Sequence, residues 1–183
     1  MEETTTETEM PLTAAVEAFM KQQGWDDDEL TINEPRTAST LATSLLIEEQ
    51  KFRLFLECDE VQQQIHVYLY TPWNCPKSRI DVVARILNRV NCELLFGRLT
   101  AAERPEPRPI QFRCGFDVRG STLSPQQVDT LVGLGVSTFQ MHGGLLAAAA
   151  LSKRPLEEIW LEHLAAEEEP DEWSGIRLPR LLN

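Results

Sequence analysis

Three histidines (His66, His142, His163) and four cysteines (Cys58, Cys75, Cys92, Cys114) are the side chains best suited to hold a metal or attack a substrate. Their spacing argues against both roles. Zinc sites bring at least one close ligand pair, of the C-x2-4-C or H-x3-5-H kind, and these seven residues contain none. His142-Gly143-Gly144 has the look of an oxyanion loop, but such a loop serves a nucleophile on a G-x-S-x-G elbow, which this chain lacks. Gly133-Leu134-Gly135 opens a G-x-G pattern that continues to Thr138 where a phosphate-binding turn needs Gly or Ala, and it falls in a helical stretch. The acidic triplet Asp26-Asp27-Asp28 has neither the glycine nor the distal glutamate of a calcium loop. No catalytic, cofactor or metal residue is therefore assigned. The one enzymatic or small-ligand alternative is a pocket between sheet and helices that uses Arg113, His66, Tyr68 or Tyr70 from polar strand faces.

The charge is unevenly spread. The 183 residues carry a net charge of -12. Much of it sits in three runs without any Lys or Arg: Glu2 to Glu9, Asp26 to Glu29, and Glu167 to Glu172. Outside them acidic and basic residues nearly balance, and only the segment 77–119 is mildly basic. Phosphate neutralisation needs a concentrated basic surface, so nucleic acid is not an expected partner. The opening "MEETTTETEM" has no basic or apolar region of a signal peptide, and the longest apolar run, "GGLLAAAAL", is far short of a span. Those features predict a cytoplasmic protein with no membrane span, and four scattered cysteines without a secretory signal predict free thiols.

Residues 1–10, rich in Glu and Thr, are expected to be a disordered tail. A helix is predicted over about 12–23, where Leu12, Ala15, Val16, Phe19 and Met20 share a face and Gly24 sits at the C-cap position. After a loop with a short extended piece at 30–32, three strands follow at 40–49, 52–59 and 63–71, an antiparallel meander with one apolar face. The second helix spans about 76–91, with Asn74 as its N-cap and Ile80, Val83, Ile86, Leu87 and Val90 as its stripe. Asn88 and Asn91 read as end-of-helix residues, with Cys92 packed at the joint to a fourth strand, "CELLFGRLT". The alternating "IQFRCGFDV" makes the fifth, in a hairpin with the fourth.

Ser124, Pro125 and Gln127 start a long helix over about 125–151. Four glycines in it cost about 1 kcal/mol each relative to alanine. Either close packing offsets them or the helix breaks. Gly143, Gly144 and Ala147 are the predicted tight helix contact or dimer seam. A short helix follows, with Leu156, Ile159, Trp160, His163 and Leu164 on one side, and the acidic run ends it. The final apolar residues Trp173, Ile176, Leu178 and Leu181 either dock on the body or join Trp160 in contacting a partner.

This is an α+β chain with a five-stranded antiparallel sheet, in the order α-βββ-α-ββ-α plus a short C-terminal helix. Its domain spans 11–166, followed by an acidic linker and tail over 167–183. With "NRVN" at 88–91 running toward a strand and "SP" at 124–125 opening a helix, the stretch from about 12 to 165 resembles the bacterial YbjN family, whose members look like type III secretion chaperones in fold. The resemblance implies a non-enzymatic protein with no cofactor. It implies a regulator or chaperone-like module that binds other proteins and pairs as a homodimer.

Overall fold

The first helix, α1 (Pro11–Gln23), begins without a capping side chain of its own, and a distant carboxylate does the work. In the computed structural model, which describes residues 9–25, 29–101 and 108–168 (of 166–168 the backbone alone), Glu60 accepts from the backbone N–H of Leu12 and Thr13 at 3.3 and 2.8 Å. It also accepts from the Thr13 hydroxyl at 2.8 Å, and that hydroxyl meets Ser39 at 2.8 Å. An anion at the helix's positive end satisfies orphan donors as a local cap would. The other end closes as expected: Gly24 takes a left-handed φ of 71°. Met10, expected in a disordered tail, is buried, and residues 1–8 of that expected tail lie outside the described residues.

The sheet has six strands where five were expected. They are β1 (Glu29–Ile32), β2 (Ala38–Ile47), β3 (Gln50–Asp59), β4 (Gln64–Asn74), β5 (Arg98–Ala101) and β6 (Pro109–Asp117), all antiparallel in the order β1-β2-β3-β4-β6-β5. The extra strand is the short extended piece before β2. With Leu30 and Ile32 alone directed at the core, it is too brief for periodicity to separate it from a loop. The β2–β3 turn is two residues, Glu48 and Glu49, both at positive φ (47° and 65°), the twist a tight hairpin requires.

Asn74 is the last residue of β4, not a helix cap. A 3-10 turn (Lys77–Arg79) intervenes before α2 (Ile80–Glu93). Proline at position 76 holds an extended ψ of 147°, so the chain cannot turn helical until after it. The apolar stripe is as predicted, with Val83, Ile86, Leu87 and Val90 buried. The next strand starts late. Cys92 is exposed on α2 rather than packed at a joint, and Leu95 and Phe96 stand 91% and 66% exposed in the loop before β5. Gly97, at φ 73°, makes the turn; a Cβ there would sit 2.4 Å from the Phe112 ring, so no other residue fits unchanged.

α3 (Pro125–Leu151) is one unbroken helix, opened by a Ser124–Gln127 capping box. By length and apolarity alone it could cross a membrane, but Val128, Leu131, Phe139, Leu145 and Leu146 are buried in the core beneath it. Its glycines divide. A Cβ on Gly135 would lie 2.9 Å from Phe112 and 3.3 Å from Leu69, so this glycine lets α3 sit close on the sheet. A Cβ on Gly133, Gly143 or Gly144 would meet nothing within 4 Å. Among the described residues nothing packs closely on Gly143 or Gly144; helix positions alone could not tell which glycines face the sheet.

α4 (Leu156–Glu168) turns back along α3, burying Leu156 and Ile159. Arg79 locks the turn, with Nε donating to Ala149 O at 2.9 Å and Nη2 to Arg154 O at 3.0 Å, a cation at the negative end of α3. The core between sheet and helices is built around Phe19, Phe112, Phe139, Leu54, Leu69 and Ile86, all but inaccessible to solvent. α1, α2 and α3 contribute their buried stripes to that one face of the sheet.

Candidate functional site

Strand alternation puts every second residue on the side away from the helices, and the pairing register carries those residues into rows across the sheet. Glu29, Ala42, Phe55, Tyr68, Arg113 and Arg98 form one row running from β1 to β5. Ser44, Arg53, Tyr70, Gln111 and Thr100 form the next. Thr31, Thr40, Glu57, His66 and Gly115 form the one on the other side. Among the described residues no helix covers this face.

Its middle is aromatic. Phe55 and Tyr70 meet edge to face at 5.6 Å between centroids, and His66 lies 6.3 Å from Tyr68. Guanidinium groups top the rings, Arg53 at 5.1 Å from Phe55 and Arg113 at 6.0 Å from Tyr68. Gly115 leaves the lane in which the His66 imidazole lies, since a Cβ there would be 2.6 Å from Nδ1. Burial raises the Tyr68 phenol above its ordinary value, with the Glu57 charge second; burial also raises Tyr70. Both are neutral hydroxyls at physiological pH. Phe55, His66, Tyr68 and Tyr70 are half-buried, presenting ring faces without a covering layer.

Charge on this face is ordered. Arg98 stands directly opposite Arg113 on β5 and β6, a like-charge pair that disfavours the sheet unless an anion joins it. The ion pairs among the described residues, Arg119 with Asp117 and Arg154 with Glu162, involve neither. The carboxylates of the three rows, Glu57 and Glu29, lie toward the β1 side. The face thus carries Arg98 and Arg113 toward the β5 edge, aromatic rings in the middle, Arg53 and Glu57 together on β3, and Glu29 on β1.

These positions correct the pocket alternative. His66, Tyr68, Tyr70 and Arg113 do not line a space between sheet and helices, because their place in the alternation turns them to the opposite side. Burial suppresses three of the four thiols as nucleophiles. Cys58 is pushed up to about 12 by burial, and burial likewise raises Cys75 and Cys114. Among the described residues no three His, Cys, Asp or Glu side chains converge as a metal site.

Of the predicted contact residues, Trp160 is half-buried and docked. The Arg89 guanidinium of α2 lies 4.7 Å from its ring, and His163 is 5.6 Å from Trp160 and 5.9 Å from His142. Trp173, Ile176, Leu178 and Leu181 lie outside the described residues. Gly143, Gly144 and Ala147 line a small notch with Ile47, Phe52, Phe139 and Trp73, whose indole N–H donates to Gln50 at 3.1 Å. Nothing brings the notch together with the outer face. Sequence reasoning placed His66, Tyr68 and Tyr70 on a polar strand side and missed Phe55, and alternation within one strand does not say which strands lie side by side.

A protein-family model, YbjN, described as "Putative bacterial sensory transduction regulator", matches residues 13–145. The chain belongs to the YbjN family. Two solved structures are similar to it. One is the crystal structure of YbjN from E. coli, described as "a putative transcription regulator", at 13% identity over 75% of this chain and 91% of that chain, with a TM-score of 0.47. The other is the ExsC–ExsE complex, at 13% identity over 72% of this chain and 95% of that chain, with a TM-score of 0.42. No curated protein matches the sequence. The YbjN match ends within α3, so α4 and the acidic segment after it stand beyond the matched region.

Proposed function

We propose that this YbjN-family chain is a non-enzymatic regulator or chaperone-like module of the cytoplasm that works by binding another protein on the outer face of its sheet. The observation that carries the reading is the half-buried array of Phe55, Tyr68, Tyr70 and His66 with Arg53 and Arg113 over it. Aromatic and arginine side chains are the groups that most often dominate protein-protein affinity. Family membership supports a regulatory role and raises no catalytic expectation.

The test is affinity capture on the full chain followed by a direct binding measurement with the protein recovered. Tyr68→Ala with Phe55→Ala should weaken that binding by at least about tenfold, the effect of losing one hot-spot contact. Unchanged affinity would remove the outer face from the reading.

The homodimer expected of such a module is assigned to the stretch at Gly143, Gly144 and Ala147, where a Cβ on either glycine would meet nothing among the described residues. Sedimentation of the full chain tests it; a monomer at high concentration sinks the seam.

A further inference from the structure

We propose that the outer face takes an acidic protein segment in extended form, laid across the strands. One of its carboxylates is clamped between Arg98 and Arg113, an apolar side chain lies on the rings of β4, and a second carboxylate meets Arg53. The inference rests on the outer face being the binding surface, and it names the chemistry of the partner.

The charges of the face, taken row by row along the strands, leave one cationic lane. Lys51 stands opposite Leu46, next to the β2–β3 turn made by Glu48 and Glu49. Arg53 is in the following row, and Arg113 and Arg98 are in the one after it, with Glu29 at its β1 end. Glu57 comes one row further on, and Asp59 and Asp117 flank Gln64 in the last. The adjacent rows of Arg53 and of Arg98 with Arg113 therefore cross β3, β4, β6 and β5 with carboxylates beyond them on three sides. Lys51, Arg53, Arg98 and Arg113 make no ion pair among the described residues, where the pairs are Arg119 with Asp117 and Arg154 with Glu162.

The rings prepare those cations for carboxylates. Arg53 lies 5.1 Å from the Phe55 centroid and Arg113 6.0 Å from that of Tyr68. A guanidinium stacked on a ring keeps its N–H donors in its own plane, where a carboxylate is held by two parallel hydrogen bonds. Arg98 and Arg113 are direct cross-strand partners, about 5 Å apart at Cα, so one carboxylate reaches both and relieves their repulsion. Between the two cationic ends, Tyr68 and Tyr70 offer half-buried ring surface to an apolar side chain.

Spacing sets the pattern of the segment. From Arg53 on β3 to Arg98 on β5 is three strand spacings, about 14 Å. Carboxylates four residues apart on an extended chain are about 13 Å apart, and the residue midway points the same way, onto β4. The pattern is acid-x-apolar-x-acid. The two rows lie about 7 Å apart, which suits an extended chain; a helix, roughly 10–12 Å across, would press on Glu57 as well. A nucleic-acid strand, charged at every phosphate, would run on from Arg53 toward Glu29, whereas a protein segment can end its acids at the lane.

The test titrates the full chain with a fluorescent peptide carrying Glu-Gly-Trp-Gly-Glu, read by anisotropy and by amide chemical shifts. Saturable binding should move Tyr68, Tyr70, Arg98 and Arg113 and leave the exposed residues of α1 in place. Gln in place of both Glu, or the two Glu brought to Glu-Trp-Glu spacing, should weaken binding by about tenfold or more, and so should Arg98→Ala/Arg113→Ala. Salt at ~0.5 M should weaken it too, because exposed charges are then screened. Arg98→Glu/Arg113→Glu should turn the preference to Glu-Gly-Trp-Gly-Lys; Arg98→Gln/Arg113→Gln, with loss of binding expected, serves if the glutamates disturb the sheet. Equal binding of the Gln peptide, indifference to both arginines, or no shift at millimolar peptide would each overturn the proposal. Tighter binding of an oligothymidylate would overturn it by giving the lane to nucleic acid. If a recovered partner needs Phe55 and Tyr68 but not the arginines, the proposed function stands and the acidic segment falls; if the peptide seats on the arginines while the partner ignores Phe55 and Tyr68, the reverse holds.

Discussion

The side-chain amide of Asn91 closes on both backbone groups of Leu99, its Oδ1 accepting from the N–H at 2.7 Å and its Nδ2 donating to the carbonyl at 2.9 Å. Leu99 belongs to β5, an outermost strand, and its N–H and C=O point away from β6. Asn91, still inside α2, plays the part of the missing neighbouring strand. An edge that would pair with any passing chain is blunted at its centre.

Replacing Asn91 with alanine leaves both groups to water and should cost about 1–3 kcal/mol, read as a shift in the urea midpoint. The variant should also aggregate more readily through the opened edge, measured by light scattering. Asn91→Asp keeps the acceptor and turns a charge toward the Leu99 carbonyl, so it should be at least as destabilising as alanine. A neutral Asn91→Ala would show that the clamp contributes nothing.

The α3 glycines should respond in opposite directions. Gly135→Ala places a methyl 2.9 Å from Phe112 and should destabilise by about 1–3 kcal/mol. Gly143→Ala and Gly144→Ala enter open space and should each stabilise by up to about 1 kcal/mol through helix propensity. Thermal melts of the three variants decide it. If the Gly143 and Gly144 variants lower the melting temperature and also shift sedimentation toward monomer, those positions are packed against a second copy.

Removing the distant cap should loosen α1. Glu60→Ala withdraws the acceptor from Leu12, Thr13 and the Thr13 hydroxyl, and the loss of a helix cap costs about 0.5–2 kcal/mol. Hydrogen exchange should quicken first at residues 12–16. Equal acceleration everywhere would mean that Glu60 supports the fold globally rather than this helix end.

Cys58 makes stability depend on alkaline pH. Burial lifts its folded value from about 9 to about 12, so the unfolded chain loses this proton first as pH rises. Stability is therefore fully present below pH 9 and falls through the window from about 9 to 12, by up to about 1.4 kcal/mol per pH unit. Cys58→Ser should flatten that decline. At pH 8 an alkylating agent should modify exposed Cys92 and spare Cys58 until the protein unfolds. Fast labelling of Cys58 in the native protein would contradict its burial.

Local pattern was enough for much of the fold. The stripe of α2, the capping box of Ser124 and Gln127, the left-handed Gly24 and the β2-β3-β4 meander follow from spacing and from turn chemistry, which act over a few residues. The family was legible at the same range, in "NRVN" and "SP". What spacing misjudged were elements whose state depends on remote partners. β1 exists because β2 is there to pair with it, "CELLFGRLT" starts as the last turn of α2 and continues as loop over 94–97 because Asn91 and Gly97 set where β5 begins, and Asn74 is held in a strand by β6.

The outer face shows the division most sharply. Sequence alone determined that Phe55, Tyr68, Tyr70, Arg98 and Arg113 sit on strands with an apolar side and a polar side, because the pleat has a period of two. Only the tertiary structure decided that they share one row system, that Arg98 meets Arg113, and that no described helix lies over them. Register and strand order are relations between segments far apart in the chain, and they are set by which apolar faces the core brings together.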